Sequence, residues 1–194
     1  MRIFIAFDID EAIRQRIQVF MEGVSRFAAD ARWVRPESLH VTLKFVGNKS
    51  AAEVEDIKQA LTRTSASVFE ISFRGFGFFP TSKAPRVFWI GVEAGPQLGD
   101  LAKSVDESTA SLGVPREEHP FSPHITLARR GSSGAPRWRK GDKPNLSFQN
   151  LQERLATMGA PEFGRMTARE FFLYESQLGR GGARYTKIAR FELN

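Results

Sequence analysis

The chain has 194 residues, enough for one domain or two small lobes, and its 41% hydrophobic and 26% charged residues are typical of a globular protein. It contains no cysteine, which excludes disulfides, a thiolate nucleophile and a cysteine-ligated zinc site. The formal net charge of +6 and the pI of about 10.0 favour an anionic partner such as nucleic acid.

The N-terminal segment does not have the pattern of a targeting sequence. Its first apolar run is interrupted by Asp8 and Asp10, too early for a signal peptide, and no apolar run approaches membrane-spanning length. Together with the lack of cysteine, this pattern predicts a monomer in the cytoplasm with no membrane partner.

Hydrophobic periodicity predicts strands in hairpin-like runs and few helices. The predicted strands cover residues 2–7, 40–46, 69–73, 75–79, 86–92, 124–130, 171–177 and 184–193. The predicted helices cover residues 10–30, a segment that begins with a Ser50/Glu53 capping box, and residues 96–112 and 148–158. Because strands and helices do not strictly alternate, the order predicts an α+β fold with mainly antiparallel sheets.

One stretch lacks apolar periodicity altogether. Residues 131–145 are rich in Gly, Ser, Pro and basic residues, and this composition predicts a mobile surface loop. This basic stretch either extends contacts with an anionic partner such as nucleic acid or is a solvated insertion.

Two of the predicted strands carry the same motif. His40-Val41-Thr42-Leu43 and His124-Ile125-Thr126-Leu127 lie 84 residues apart. Alternate side chains of a strand share a face, so each histidine projects with its threonine while the apolar residues point into a core. The repeat predicts two related lobes, flanked by helices and related by a pseudo-two-fold axis, with a site in the cleft between them.

The chemistry of such a paired site suits a phosphodiester. Two imidazoles can act as acid and base near neutral pH, and two hydroxyls can donate hydrogen bonds to anionic oxygens. A single His-x-Thr on a strand is commonly structural, but two of the chain's three histidines stand in matching strings. This chemistry needs no metal or other cofactor.

These motifs resemble those of the two-histidine phosphoesterases, and within them the RNA 2′,3′-cyclic phosphodiesterases, historically called 2′-5′ RNA ligases. The segments 2–8, 40–47 and 123–129 are similar to the family's opening strand and two motif strands, and 173–176 with Tyr185 to its closing hairpin. The resemblance implies a single bilobed domain over 1–194 with an internal duplication. It also implies metal-independent hydrolysis of 2′,3′-cyclic phosphate ends of RNA to 2′-phosphomonoesters.

The resemblance also implies the role of each motif residue. His40 would donate a proton to the leaving 3′ oxygen, and His124 would accept one from water. Thr42 and Thr126 would hold the non-bridging oxygens. The spacing of the residues alone leaves the two proton roles interchangeable.

Four further residues are candidates for substrate contacts. Arg129 or Arg130 either contacts phosphate or is simply exposed at the surface. Strict alternation puts Arg130 on the histidine side, but a bulge would reverse this. Phe7 either stacks on a base or packs in the core. Tyr185 either lines the cleft or packs. His119, between two prolines, is predicted to be a loop residue.

Other functions remain open at this level. The cleft could serve a non-catalytic RNA-binding module in which the histidines contribute affinity only. An enzyme with this site could instead act on 2′-5′-linked oligonucleotides or small cyclic phosphates. The reverse 2′-5′ ligation is a further alternative, because the same acid and base serve both directions.

Overall fold

The computed structural model of the protein describes residues 1–131, 147–179 and 182–194. The described elements are β1 (Arg2–Phe7), α1 (Glu11–Val24), β2 (Arg32–Trp33), β3 (Val41–Asn48), α2 (Ala51–Leu61), β4 (Phe69–Phe79), β5 (Val87–Ala94), α3 (Pro96–Ala110), β6 (His124–Arg129), α4 (Ser147–Leu155), β7 (Glu162–Ala168), β8 (Glu170–Gly179) and β9 (Gly182–Glu192). Short 3-10 helices cover Ser25–Ala28 and Pro36–Ser38. The predicted basic loop, beyond Gly131, lies outside the described residues, as do two residues of the predicted 179–182 turn.

The strands form two sheets in which all neighbours are antiparallel, as the α+β prediction requires. The first sheet has the order β3-β1-β8-β9 and the second the order β2-β6-β5-β4-β7. Apart from the short edge strand β2, the two orders correspond, with the motif strands β3 and β6 in equivalent places. The expected pseudo-two-fold relation is therefore visible in the strand order.

Two helices cross from the sheet they follow to the other one. Helix α1 follows β1 of the first sheet, but its Phe20 ring packs on Phe88 and Phe163 of the second. Helix α3 follows β5 of the second sheet, but it lies against β3 of the first. Buried apolar side chains from both sheets and from the helices form one continuous cluster. This exchange of helices ties the two lobes together through a shared core.

The predicted elements differ from the structure where glycine disturbs the pattern. Strand β4 was predicted as two strands but is continuous, with a register shift near Gly75, whose φ is +69°. Helix α1 ends at Val24, shorter than predicted, and a 3-10 turn completes it. Strand β7 was not predicted, because Gly164, with φ of +119°, interrupts its alternation.

A buried ion pair connects the first motif strand to the segment before the second motif. The Lys44 side chain on β3 is only 2% exposed, and its ammonium lies 2.5 Å from the Asp106 carboxylate on α3. It also donates a 2.7 Å hydrogen bond to the carbonyl oxygen of Pro115. Burial alone would raise the pKa of Asp106, but the hydrogen bond and charge of Lys44 lower it below 3.8.

We expect Lys44→Met to lower the free energy of unfolding by about 3 kcal/mol, because it leaves the Asp106 charge without its main partner. Chemical denaturation at pH 7 measures this loss. Since the folded-state pKa of Asp106 lies below its unfolded value, the pair's contribution is present above pH 3.8 and is lost as the pH falls further.

The control is Lys58→Met, which removes a surface ion pair to Glu55 and is expected to change stability by less than about 1 kcal/mol. Equal losses in the two variants would contradict the role given to Lys44.

Candidate active site

The two motif strands present their histidines and threonines as alternation predicts. On β3, Val41 and Leu43 are buried while Thr42 is partly exposed. On β6, Ile125 and Leu127 are fully buried, whereas His124 and Thr126 are partly exposed. The apolar half of each motif thus anchors the strand in the core and leaves the polar half at the surface.

Each motif strand then bulges at its leucine. Thr42 and Lys44 pair with consecutive residues of β1, so Leu43 is the extra residue on β3. Thr126 and Ala128 pair with consecutive residues of β5, so Leu127 is the extra residue on β6. A bulge reverses the alternation beyond it. The third residue after each threonine, Phe45 or Arg129, therefore projects on the histidine side of its sheet.

The two imidazoles are held by equivalent hydrogen bonds. His40 Nδ1 lies 2.7 Å from the carbonyl oxygen of Ser38, and His124 Nδ1 lies 2.7 Å from that of Ser122. A carbonyl oxygen can only accept, so each Nδ1 carries the hydrogen. In the neutral form this leaves the Nε2 of both rings as the atom that accepts or, once charged, donates a proton.

The two motifs converge although they belong to different sheets. Cα atoms of β3 and β6 approach within 8 Å. Burial, the largest influence, lowers the pKa of His40 from 6.5 to about 4, against the hydrogen bond to Ser38, which raises it. The positive charges of Arg129 and His124 lower it further, and Asp8 raises it. His40 thus lies within the electrostatic reach of the opposite motif.

His124 has a less buried environment of the same kind. Burial is again the largest influence and lowers its pKa below 6.5, with Arg129 acting in the same direction and the bond to Ser122 opposing both. Its ring lies 4.9 Å from Phe79 and 6.3 Å from Trp89, centroid to centroid. Both histidines are therefore neutral at pH 7 before an anion binds.

Aromatic rings surround His40 and border a cavity of about 350 Å³. The His40 centroid lies 4.8 Å from Phe4, 5.2 Å from Tyr185 and 6.4 Å from Tyr174. Tyr174 stacks on Phe4 at 5.0 Å, and its burial raises the pKa of the phenol above 10. His40, Tyr174 and Tyr185 line the cavity together with Asp8 and Lys187, among others. Of the two places that the sequence leaves open for Tyr185, its ring lines this cavity.

The two arginines after the second motif lie in different places. The bulge at Leu127 puts Arg129 on the side of His124, and its charge acts on both histidines. Arg130 follows on the other side by alternation, and its backbone N–H donates to Arg86. Strict alternation predicted that Arg130, and not Arg129, lies on the histidine side of the strand. That prediction is wrong, and the bulge accounts for the difference.

The suggested role of Phe7 in base stacking is wrong. Phe7 is fully buried, with 0% exposure, and packs edge-on against Phe69 and Phe171 at 5.9 and 6.4 Å. Its pairing with Val41 places it on the core side of the first sheet. Core packing, the alternative reading of this residue, is the one the structure supports.

Several residues near His40 were missed at the sequence level. Phe45 is 58% exposed and lies 6.1 Å from the Phe4 ring, but simple alternation would bury it. Asp8 and Lys187 form an ion pair in the wall of the cavity, with 2.5 Å between the carboxylate oxygen and the ammonium nitrogen. Arg14 lies on a helix whose apolar stripe gave no reason to single it out. By alternation Phe45 shares the apolar stripe of Val41 and Leu43, so the pattern carried no signal of its exposure.

Two classes of feature are absent from the described residues. No group of three or more histidine, aspartate and glutamate side chains in the described ranges is arranged to hold a metal ion. No helix in the same part of the chain is long and apolar enough to span a membrane.

The fold and the site define an α+β protein that brings two imidazoles and two hydroxyls from equivalent strands toward one place. The family model described as LigT-like phosphoesterase matches residues 7–89 and again residues 90–185. The chain belongs to the LigT-like phosphoesterase family, which confirms the resemblance drawn from the motifs.

Relatives and solved structures match along nearly the whole chain. A protein of Archaeoglobus fulgidus named RNA 2′,3′-cyclic phosphodiesterase is 32% identical over 99% of this chain and 100% of its own length. A protein of the same name from Escherichia coli is 30% identical over 99% and 96%. The crystal structure of Escherichia coli LigT complexed with 3′-AMP superposes with a TM-score of 0.78 and 28% identity, over 99% of this chain and 97% of that one.

The protonation of the two histidines is open to direct measurement. In the protein alone we expect a pKa of about 4 for His40 and one below 6.5 for His124, and we expect added inorganic phosphate to raise both, because an anion stabilises the imidazolium. NMR titration of ¹⁵N-labelled histidine rings measures both values. The exposed His119 serves as the internal control. Unchanged values of His40 and His124 in saturating phosphate would contradict a shared anion site.

Proposed function

We propose that this protein hydrolyses 2′,3′-cyclic phosphate ends of RNA to 2′-phosphomonoesters without a metal ion. The observation that carries the proposal is the convergence of two motif strands whose histidines both keep Nε2 for chemistry. The family, and relatives of the same length named RNA 2′,3′-cyclic phosphodiesterase, support the same reaction.

The surroundings of the site fit a nucleotide with a small charged end. Phe45 offers an exposed aromatic face on which a base can stack. Arg129 places a positive charge within reach of both histidines, where a cyclic phosphate would bring a negative one. The net charge of +6 favours the approach of RNA. Arg129, Tyr185 and Phe45 are the substrate contacts in this proposal.

The reaction needs one proton accepted and one donated. His124 Nε2 takes a proton from water, whose oxygen forms the new bond to phosphorus. The bond from phosphorus to the 3′ oxygen breaks, and protonated His40 gives its Nε2 proton to that oxygen. The product carries a 2′-phosphate and a free 3′ hydroxyl, and the two histidines exchange protons with solvent to reset.

The threonines act on the phosphoryl oxygens. Thr42 and Thr126 stand two residues from the histidines on the same faces, so their hydroxyls can donate to the non-bridging oxygens. Charge on these oxygens in the transition state makes such donors, together with the Arg129 guanidinium, the stabilising groups.

If His40 is the proton donor, binding of the substrate must raise the pKa of its imidazole so that the ring becomes protonated. With a pKa of about 4, His40 is protonated in about one molecule per thousand at pH 7. A bound phosphate anion raises the pKa of a neighbouring imidazole, and the carboxylate of Asp8 acts in the same direction. We infer that His40 takes up a proton from solvent as the anionic substrate binds, and the assignment of donor and base follows the family resemblance.

Loss of either histidine is expected to slow the reaction by two to four orders of magnitude, the usual contribution of a positioned acid or base. Turnover of a 2′,3′-cyclic nucleotide by His40→Ala and His124→Ala in excess EDTA measures this, with HPLC separation of the 2′- and 3′-monophosphates. His119→Ala is the matched control and should retain full activity. Two results would refute the proposal. One is turnover by the wild-type protein that requires a metal ion, and the other is turnover that persists in both single variants.

The two proton roles can be separated with a sulfur leaving group. A cyclic substrate whose 3′ oxygen is replaced by sulfur leaves as a thiolate and needs little protonation. If His40 is the donor, His40→Ala recovers most of its activity on this substrate while His124→Ala does not. The opposite pattern would exchange the assigned roles.

Arg129→Met is expected to raise KM about tenfold or more, because it removes a charged hydrogen-bond donor from the phosphate site. Arg130→Met, a change of the same side chain one residue later, is expected to leave KM within about twofold. Steady-state kinetics on the cyclic nucleotide compares the two. A larger effect of Arg130→Met would show that the bulge at Leu127 does not orient this strand as described.

The alternatives differ from this proposal in what they form. A non-catalytic RNA-binding module would bind cyclic ends without forming product, and the same assay detects this. An enzyme for 2′-5′-linked oligonucleotides would prefer those linkages over a cyclic end. The reverse ligation remains a second activity of the same acid and base.

We also propose that the chain is one domain formed by duplication, acting as a monomer in the cytoplasm. The two consecutive matches of the family model, over 7–89 and 90–185, and the corresponding strand orders support the duplication. The absence of cysteine is compatible with a reducing compartment.

A further inference from the structure

We infer that Arg14 and Asp8 form a clamp that positions His40, the proposed acid, and so set its tautomer and direction. The inference rests on the proposed function only in taking His40 as the acid. Neither clamp residue belongs to a motif, and Arg14 lies on α1, away from the strand that carries the histidine.

Arg14 holds the segment that leads into His40. The side chain is only 11% exposed, and its Nη1 donates to the carbonyl oxygens of Pro36 at 2.6 Å and Leu39 at 3.4 Å. These residues flank Ser38, whose own carbonyl oxygen accepts from His40 Nδ1 at 2.7 Å. Arg14 therefore fixes the backbone on both sides of the oxygen that fixes the imidazole.

Asp8 in turn fixes the guanidinium. Its Oδ1 lies 2.5 Å from Arg14 Nη2 and accepts from the backbone N–H of Ile9 at 2.9 Å, and its Oδ2 accepts from Lys187 at 2.5 Å. Burial alone would raise the pKa of Asp8, but these three donors hold it below 3.8, so the carboxylate is charged at neutral pH. Asp8 also lines the cavity beside His40.

The segment needs such support because its backbone is irregular. Pro36–Ser38 is a single 3-10 turn, and its proline lacks a backbone N–H. Without Arg14, the carbonyl oxygens of Pro36 and Leu39 would lose a charged donor and Ser38 could rotate. A His40 ring without the Ser38 acceptor can carry its neutral hydrogen on either nitrogen, and its imidazolium loses the bond that aims the Nε2–H of the acid at the leaving oxygen.

A second arginine of the same helix provides the contrast. Arg16 Nη1 donates to the carbonyl oxygen of Phe163 on β7 at 3.0 Å, which joins α1 to the second sheet and does not touch the 36–39 segment. Arg14→Gln and Arg16→Gln therefore each remove a guanidinium–carbonyl interaction of α1, that of Arg16 being the more exposed, but only the first acts on His40.

The experiment compares the two variants by histidine ring NMR and by kinetics. In Arg14→Gln we expect the ¹⁵N shifts of neutral His40 to move from the Nδ1–H toward the Nε2–H tautomer, with His124 unchanged. We expect kcat to fall about 10- to 100-fold, the usual effect of losing a partner that orients an imidazole, with KM within about threefold. Arg16→Gln should leave the His40 signals and kcat within about twofold of wild type.

Two further variants separate positioning from charge and from stability. Arg14→Lys keeps the charge but cannot bond both carbonyl groups and the carboxylate in one plane, so it should not restore the tautomer. In a His40→Ala background, Arg14→Gln should cause no further loss of kcat, because the residue acts only through His40.

The outcomes are distinct from those that test the proposed function. An unchanged His40 tautomer in Arg14→Gln, or equal losses in Arg14→Gln and Arg16→Gln, would overturn the clamp. Additive losses in the double variant would do the same. If the wild-type protein gave no turnover, the proposed function would fail, yet the NMR comparison would still decide whether Arg14 positions the ring.

Discussion

Each histidine follows a piece of irregular backbone, and a cation from another element bonds the piece before His40 directly and the start of the longer piece before His124. Arg14 of α1 bonds the segment before His40, and Lys44 of β3 bonds Pro115 in the segment before His124. The carbonyl oxygens of Ser38 and Ser122 can orient the imidazoles only if these segments keep their place. A charged donor inside the protein suits this task because its loss is costly.

Lys44 also links the first motif strand to the half of the chain that carries the second motif. Lys44 lies two residues after Thr42 on the first motif strand, yet its partners are Asp106 and Pro115, which lead toward the second motif. The exchange of α1 and α3 between the sheets places these contacts within one core. The distance between the two motifs is therefore fixed by side chains that sit behind the site and not within it.

The same scaffold carries different chemistry on its two sides. The bulges at Leu43 and Leu127 turn equivalent positions toward the histidines, but one holds the aromatic Phe45 and the other the cationic Arg129. Gly91 pairs with His124, whereas the carboxylate of Asp8 stands near His40. A duplicated frame can thus offer a surface for a base on one side and a charge for phosphate on the other.

Strand alternation was enough to predict which side of each motif strand carries the histidine and the threonine. The apolar residues between them must face the core, and this leaves the polar residues on the other face. Alternation could not predict the two bulges, because a bulge depends on the pairing with the neighbouring strand. In the sequence, Leu43 and Leu127 look like ordinary strand residues. Phe7 and Phe45 show the consequence: the suggested base-stacking phenylalanine is buried, and the exposed one lies where alternation would put a core residue. The role of Arg14 could not be predicted, because its partners next to His40 are backbone oxygens.

The asymmetry of burial bears on the direction of proton transfer. In the free protein the more buried His40 has the lower pKa, about 4, which by itself suits a base better than an acid. An anion placed between the rings adds the same sign of charge to both, so the local groups decide which ring takes the proton. Asp8 raises the pKa of His40, and Arg129 lowers the pKa of both rings. The carboxylate on the His40 side therefore favours the proton there, which is the arrangement that departure of the 3′ oxygen requires.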